Sequence, residues 1–280
     1  VVVTILDDVA DGEQLPWYIV LLIAVATILI AAGGYVINDY FDIKIDRINR
    51  PDQLIVSQHI SKENAMRLSI ILSGVGMVCG LVVAWLLLFA IIPGLLWFYS
   101  SSYKRLLIVG NVTIALLSAL SPMMVAIANV AQLQLKYSSI LPYTTLEHDI
   151  YAWVGGFSLF AFLLTWIREI VKDLQDQMGD RELECHSMPI VWGNTVTKIV
   201  VTALIILTTA LIVWLWYSVL PFDRTWNSFS TRYIALGILI PLWGALWLLW
   251  AAKIPSDYRT CQQVIKLTMF LGMLYSFVLR

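Results

Sequence analysis

The chain has 280 residues, 60% of them hydrophobic and 13% charged, with a net charge of −1 and a mean hydropathy of +0.80. Soluble domains hold about 45–50% apolar and about 25% charged residues, so the composition excludes an ordinary soluble protein and points to a polytopic membrane protein. There is no basic surplus to suit a nucleic acid, and Cys79, Cys185 and Cys261 lie too far apart to form a metal or disulfide pattern.

The first residues, Val1-Val2-Val3-Thr4-Ile5-Leu6, are apolar and stop at Asp7-Asp8. They read either as the tail of a helix that begins before this numbering or as a short irregular terminus. Apolar runs long enough to span a bilayer then fall near 16–38, 65–83, 84–102, 111–132, 150–171, 195–219, 231–252 and 262–279. The expected fold is therefore an all-α transmembrane bundle with eight spans, in one domain covering 1–280. The second and third runs are nearly continuous, and Ile92-Pro93-Gly94 is the expected break or kink. Trp153, Trp214, Trp216 and Trp226 fall near predicted helix ends, as an interfacial belt requires. His59, His148 and His186 are isolated in polar segments and read as solvated.

Two segments carry chemistry. After the first run comes Asn38-Asp39-Tyr-Phe-Asp42-Ile-Lys44-Ile-Asp46-Arg47-Ile-Asn49-Arg50-Pro51, and after the fifth Lys172-Asp173-Leu-Gln-Asp176-Gln-Met-Gly179-Asp180-Arg181. In each, three aspartates recur at i, i+3 and i+7. At about 100° per residue such a trio fits within roughly 60° of one helix face. Like charges on one face destabilise a helix unless cations lie between them. The repeat of one spacing on two helix ends thus argues for bound divalent metal and polyanion rather than two solvated ends.

Lys44, Arg47, Arg50, Lys62, Arg67, Lys104, Arg105, Arg168, Lys172, Arg181, Lys198, Lys253, Arg259 and Lys266 follow odd-numbered runs. Lys136, Arg224, Arg232 and Arg280 lie on the opposite side. A bias of 14 to 4 among the 18 Lys and Arg places both aspartate clusters on the cytoplasmic side.

Hard cations such as Mg²⁺ take oxygen ligands, usually one or two carboxylates plus substrate phosphates. Two facing triads suit Mg²⁺ with a diphosphate between them. Lys44, Arg47, Arg50, Lys104, Arg105, Lys172 and Arg181 are the candidate phosphate contacts. Asn38, one turn before Asp42, offers a neutral oxygen. Glu169, one turn before Asp173, either joins the second arc or faces solvent.

These residues carry a family resemblance. Asn38-Asp39-x-x-Asp42-x-x-x-Asp46 resembles the first signature of the UbiA superfamily of intramembrane prenyltransferases, and Lys172-Asp173-x-x-Asp176-x-x-Gly179-Asp180 its second. Tyr103-Lys104-Arg105 with Gly110-Asn111 is similar to a third recurring piece, and Pro189-Ile-x-x-Gly193 also fits. The resemblance extends over essentially the whole chain. It implies nine helices around a central cavity in the complete protein, and Mg²⁺-dependent transfer of a prenyl group from a prenyl diphosphate donor to a hydrophobic acceptor, among membrane lipids. It further implies Asn38, Asp39, Asp42, Asp173, Asp176 and Asp180 as metal ligands. Arg47, Lys104, Arg105, Lys172, Asn111 and Tyr103 would contact substrate, and Asp46, Asp180, Lys104 and Arg105 would assist catalysis. Tyr35, Phe41, Tyr99 and Trp166 are candidates for stabilising an allylic cation through their rings, although packing explains any one of them.

Asp46-Arg47-Ile48-Asn49-Arg50-Pro51 followed by Ile60-Ser61 is similar to the branch that geranylgeranylates geranylgeranylglyceryl phosphate. That branch usually continues Arg-Pro-Ile-Pro-Ser-Gly, where this chain has Gln53-Leu54-Ile55-Val56-Ser57-Gln58. An aromatic quinone precursor, such as dihydroxynaphthoate or hydroxybenzoate, is the alternative acceptor. A transporter or a non-catalytic family member is the alternative class. The acids at helix ends and the six intact motif aspartates argue against both.

Overall fold

The computed structural model describes residues 16–81, 86–137, 144–218, 225 and 228–278. The helix tail expected at residues 1–6 and the belt position of Trp226 lie outside them. In chain order the helices are α1 (Trp17–Asn49), α2 (Lys62–Leu81), α3 (Leu86–Ser101), α4 (Val109–Tyr137), α5 (Leu146–Glu182), α6 (Met188–Val191), α7 (Gly193–Ser218), α8 (Phe229–Arg232), α9 (Ile240–Ala251) and α10 (Pro255–Val278). Short 3₁₀ turns cover Pro51–Gln53 and Tyr103–Arg105, and a π-helical stretch, Tyr233–Leu239, joins α8 to α9. The π turn precedes Pro241, which has no N–H to offer the preceding turn and clashes with it.

Among the described residues, five segments are long and apolar enough to cross a membrane: Trp17–Asn49, Val109–Leu135, Leu146–Glu182, Gly193–Ser218 and Phe229–Ala251. The other expected spans fall on α2, α3 and α10, which are shorter or less apolar. Pro93 does not break the second and third passes. It sits inside α3, and Pro122 likewise sits inside α4. Buried helices tolerate such prolines where neighbours satisfy the freed carbonyl groups.

Large apolar side chains point outward, among them Ile28, Trp247 and Phe277, as a lipid-facing surface requires. Helices meet through small residues. α1 packs closely on α2, where Gly33 lies against Ser69 and Ser73 and the Ser69 hydroxyl donates to the Gly33 carbonyl at 2.8 Å. The largest core cluster joins α5, α7, α9 and α10 through Leu164, Ile167, Ile205, Leu242, Leu249 and Ile265, all nearly inaccessible. A second and a third cluster join α4 to α5 and α1 to α3.

Between these packed groups lies a cavity of about 520 Å³, lined from α1, α3, α4, α5 and α10. Ile30, Phe89, Ile92, Leu96, Ile114 and Met124 make its apolar wall. Its polar end holds Asn38, Arg168, Glu169, Lys172 and Lys266.

Candidate active site

Both long helices run beyond the apolar stretch, so each aspartate trio is helical. α1 continues through Asp39, Asp42 and Asp46 to Asn49, where Pro51 prevents extension. α5 continues through Asp173, Asp176 and Asp180 to Glu182. Glu184 has φ 54, and the Cys185 N–H bonds back to the Asp180 carbonyl at 2.9 Å, which turns the chain away.

A single asparagine fastens the two ends. Asn49 Nδ2 donates to the Asp176 carbonyl at 3.1 Å, and Asn49 Oδ1 accepts from the Gly179 N–H at 2.9 Å. The approach demands glycine at 179, because a Cβ there would lie 2.6 Å from Asn49 Nδ2 and 2.8 Å from Ile45 Cγ1. Beside this clip, Arg50 Nη2 donates to both oxygens of Asp176, at 2.8 and 2.5 Å.

The 103–105 turn forms the third side. Lys104 is in contact with Asp42 through an ion pair in which both side chains are largely buried. Burial, then repulsion from Lys172 and Arg105, pushes the Lys104 ammonium down, and its Nζ lies against the Asp42 carboxylate. Ile108, at φ 66, turns the chain after this segment, a costly backbone for a β-branched residue. The turn delivers Asn111, whose Nδ2 donates to Asp173 Oδ2 at 2.8 Å. The Arg105 carbonyl accepts from the His186 N–H at 2.9 Å, tying this loop to the one after α5.

The structure therefore gathers Asn38, Asp39, Asp42, Asp46, Lys104, Asn111, Lys172, Asp173, Asp176 and Asp180 around the C-terminal ends of α1 and α5. Asp39 lies within electrostatic reach of Lys172, Lys104 and Arg50, and Asp180 is buried within reach of Asp176 and Lys104. Arg47 and Arg105, with Lys44 and Arg181, are exposed, and the side chains of Arg47 and Arg105 make no hydrogen bond among the described residues. Tyr103 stacks on Phe98, with ring centroids 6.0 Å apart. Of the candidate aromatics, Tyr35 and Tyr99 line the cavity, whereas Phe41 packs edge-on to Trp97 and Trp166 against Phe162.

Sequence reasoning placed Arg168 and Lys266 in connecting segments. Arg168 lies within α5, fourteen residues before its end, and Lys266 lies eleven residues into α10, about 16 Å along the helix. Both line the cavity, so both are corrections to the 14-to-4 count as a topology signal. Glu169 faces the cavity and is 5% exposed, not solvated. The role of Asn49 had no signal beyond its position three residues after Asp46.

Among the described residues no three His, Cys, Asp or Glu side chains converge as a ready-made metal cage. Two of the aspartates are held by Lys104 and Arg50 instead. The donor set still fits a hard cation. It consists of carboxylate and amide oxygens, and Asn38 Oδ1 is buried with no hydrogen-bond partner while its Nδ2 donates to Asp42 at 2.7 Å. Mg²⁺ keeps few protein ligands and completes its shell with phosphate and water.

The pattern of the UbiA prenyltransferase family matches residues 9–274. The digeranylgeranylglyceryl phosphate synthase of Sulfolobus acidocaldarius is 35% identical over 176 residues, 61% of this chain and 57% of that protein. That of Methanosphaera stadtmanae is 26% identical over 265 residues, covering 93% and 86% of the two chains, and that of Methanobrevibacter smithii is 28% identical over 269 residues, covering 92% and 84%. The match thus spans under two thirds of the Sulfolobus relative's length. Among solved structures, the apo structure of a UbiA homolog from Aeropyrum pernix K1 superposes with a TM-score of 0.69 at 16% identity, over 94% of this chain and 91% of that one. At that identity the likeness speaks for the fold.

Proposed function

The chain belongs to the UbiA prenyltransferase family, and on that premise we propose that it transfers a prenyl group from a prenyl diphosphate to the free hydroxyl of an isoprenyl glyceryl phosphate. The reading takes 1–280 as one catalytic domain, with the site at the cytoplasmic surface. The observation that carries it is the clipping of the two acidic helix ends over a cavity with a long apolar wall and a charged end. The acceptor assignment is supported by the relatives, which are digeranylgeranylglyceryl phosphate synthases. The 53–58 loop departs from the branch's usual sequence and counts against that assignment, although the loop itself stays packed. Leu54 and Val56 stand where that branch carries prolines, and both are buried, Val56 against Ile43 and Ala65.

Asn38, Asp39, Asp42, Asp173, Asp176 and Asp180 would hold Mg²⁺. When bound, the metal supplies positive charge to the diphosphate leaving group. The chain's own residues do the rest. Lys104 and Arg50 each pair with one aspartate of the two faces, Asp42 and Asp176, so they can turn from them to diphosphate oxygens and stabilise charge that builds as the C1–O bond breaks. Lys172, at the boundary between the faces and the cavity, contributes a third cation. Asn111 holds Asp173 in one orientation. The apolar wall excludes water that would otherwise capture the allylic cation. Tyr35 and Tyr99 offer ring faces along the path of the prenyl chain. The acceptor oxygen attacks C1, diphosphate leaves, and the hydroxyl proton passes to a carboxylate at the cytoplasmic end, Asp46 or Asp180.

The test incubates purified protein with Mg²⁺, a panel of prenyl diphosphates, and glyceryl-phosphate and aromatic acceptors, with mass analysis of the lipids. The expected product is the glyceryl phosphate acceptor enlarged by one prenyl group. Prenylation of an aromatic acceptor alone would overturn the acceptor assignment, and no product in any pairing would overturn the transfer reading.

A further inference from the structure

Above the aspartates, one turn deeper along α5, the cavity wall carries a second charged group, of which the transfer chemistry uses only Lys172. Arg168, Glu169 and Lys172 come from α5, and Lys266 comes from α10. Glu169 is buried, in contact with Arg168 and 3.8 Å from Lys172. Arg168 Nε is buried with no hydrogen-bond partner. Lys266 lines the cavity but is itself exposed, and it makes no hydrogen bond or close ion pair among the described residues. Three cations therefore face one carboxylate in this stretch of wall. The nearest other acids, Asp173 and Asp39, lie toward the cytoplasmic end. An ionisable group within a membrane-spanning bundle is costly and marks a substrate path or a counter-charge, and a buried cation without a full partner is costlier still.

We propose that Arg168 and Lys266, with Lys172 shared between the two subsites, form a second anion subsite that binds the phosphate monoester of the acceptor lipid. The inference rests on the glyceryl phosphate reading above and assigns the residues that would select for it. Three features support the acceptor's phosphate over the donor's diphosphate. The donor site proposed between the aspartate faces has its own cations, Lys104 and Arg50. The second group sits about one helical turn away, roughly 5 Å, which is the reach between a glycerol phosphate and its neighbouring hydroxyl. A phosphate held there leaves that hydroxyl beside the donor's C1. The guanidinium of Arg168 also has an unpaired N–H suited to a phosphate oxygen.

The experiment measures equilibrium binding, without donor, of an alkyl glyceryl phosphate and of its dephosphorylated alcohol to the purified full chain. Wild type, Lys266→Met, Lys266→Gln and Arg168→Gln are compared, each checked by thermal unfolding. Lys266 is the cleaner probe, because removing Arg168 strips a partner from Glu169. Wild type should prefer the phosphate at least 10-fold. Each Lys266 variant should lose most of that preference, and Lys266→Arg should keep it. With turnover as a second readout, the apparent KM for the phosphorylated acceptor should rise at least 10-fold in Lys266→Met, while the donor KM moves far less. Equal binding of phosphate and alcohol by wild type overturns the subsite, as does an unchanged preference in the Lys266 variants. A rise confined to the donor KM assigns the group to the diphosphate and likewise overturns it. If wild type shows the preference but makes no prenylated product with any donor, the subsite stands and the transfer reading falls.

Discussion

Asn49 is the point where the two acidic faces are held in register, and its removal has a definite expected cost. Asn49→Ala deletes the hydrogen bonds to the Asp176 carbonyl and from the Gly179 N–H, 3.1 and 2.9 Å long. Each is worth about 0.5–1.5 kcal/mol net, and both backbone groups keep their partners within α5. The expected loss is therefore about 1–3 kcal/mol. For a chain of this length that corresponds to a fall of roughly 2–5 °C in thermal midpoint, measurable by fluorescence in detergent. The catalytic loss should be larger, because a displacement of about 1 Å at a reacting centre can cost about 100-fold. kcat/KM for transfer should fall about 10- to 100-fold. Gly179→Ala should resemble it, since the new Cβ would meet Asn49 Nδ2 at 2.6 Å and expel the same side chain. The double variant should then cost little more than either single change, because both remove one contact. Wild-type stability and kinetics in Asn49→Ala, or full additivity in the double variant, would refute the clip.

Asp42→Asn and Asp176→Asn keep the shape of the site but discharge one member of each face, and transfer should fall by about 10²–10³ in each with little change in thermal midpoint; near-normal turnover would sink the two-face site. Treatment with excess EDTA should abolish transfer and added Mg²⁺ restore it, and full activity in the chelator would count against a metal. Lys104→Ala should raise the apparent KM for the donor by about 10- to 100-fold, the equivalent of one charged hydrogen bond of about 1.5–3 kcal/mol, and should leave the acceptor KM nearly unmoved. Arg105→Ala should do much less, because Arg105 is exposed; equal effects from the two would show that the 103–105 turn acts only through its net charge.

Local patterns were legible because helices are local. Long apolar runs specify membrane passes from composition alone, and an i, i+3, i+7 spacing puts three aspartates on one face wherever the helix continues through them. The motif residues likewise carried the family. The partners of those residues were not legible. Lys104 and Arg50 lie within short polar segments, and nothing local says that one would meet Asp42 and the other Asp176. Pro93 resembled a break because isolated prolines end helices, yet packing around α3 sustains it.

By itself the sequence determined an all-helical membrane protein with two acidic helix ends, since apolar length and helical period are properties of each segment alone. Tertiary structure alone decided that Asn49 joins those ends through Gly179, and that Arg168, Glu169 and Lys266 line one cavity, with Glu169 buried. A side chain near the end of an apolar run is assigned to a loop by default. Which way it faces depends on the neighbouring helices, and for Lys266 that neighbour is α5, about 100 residues away in the chain.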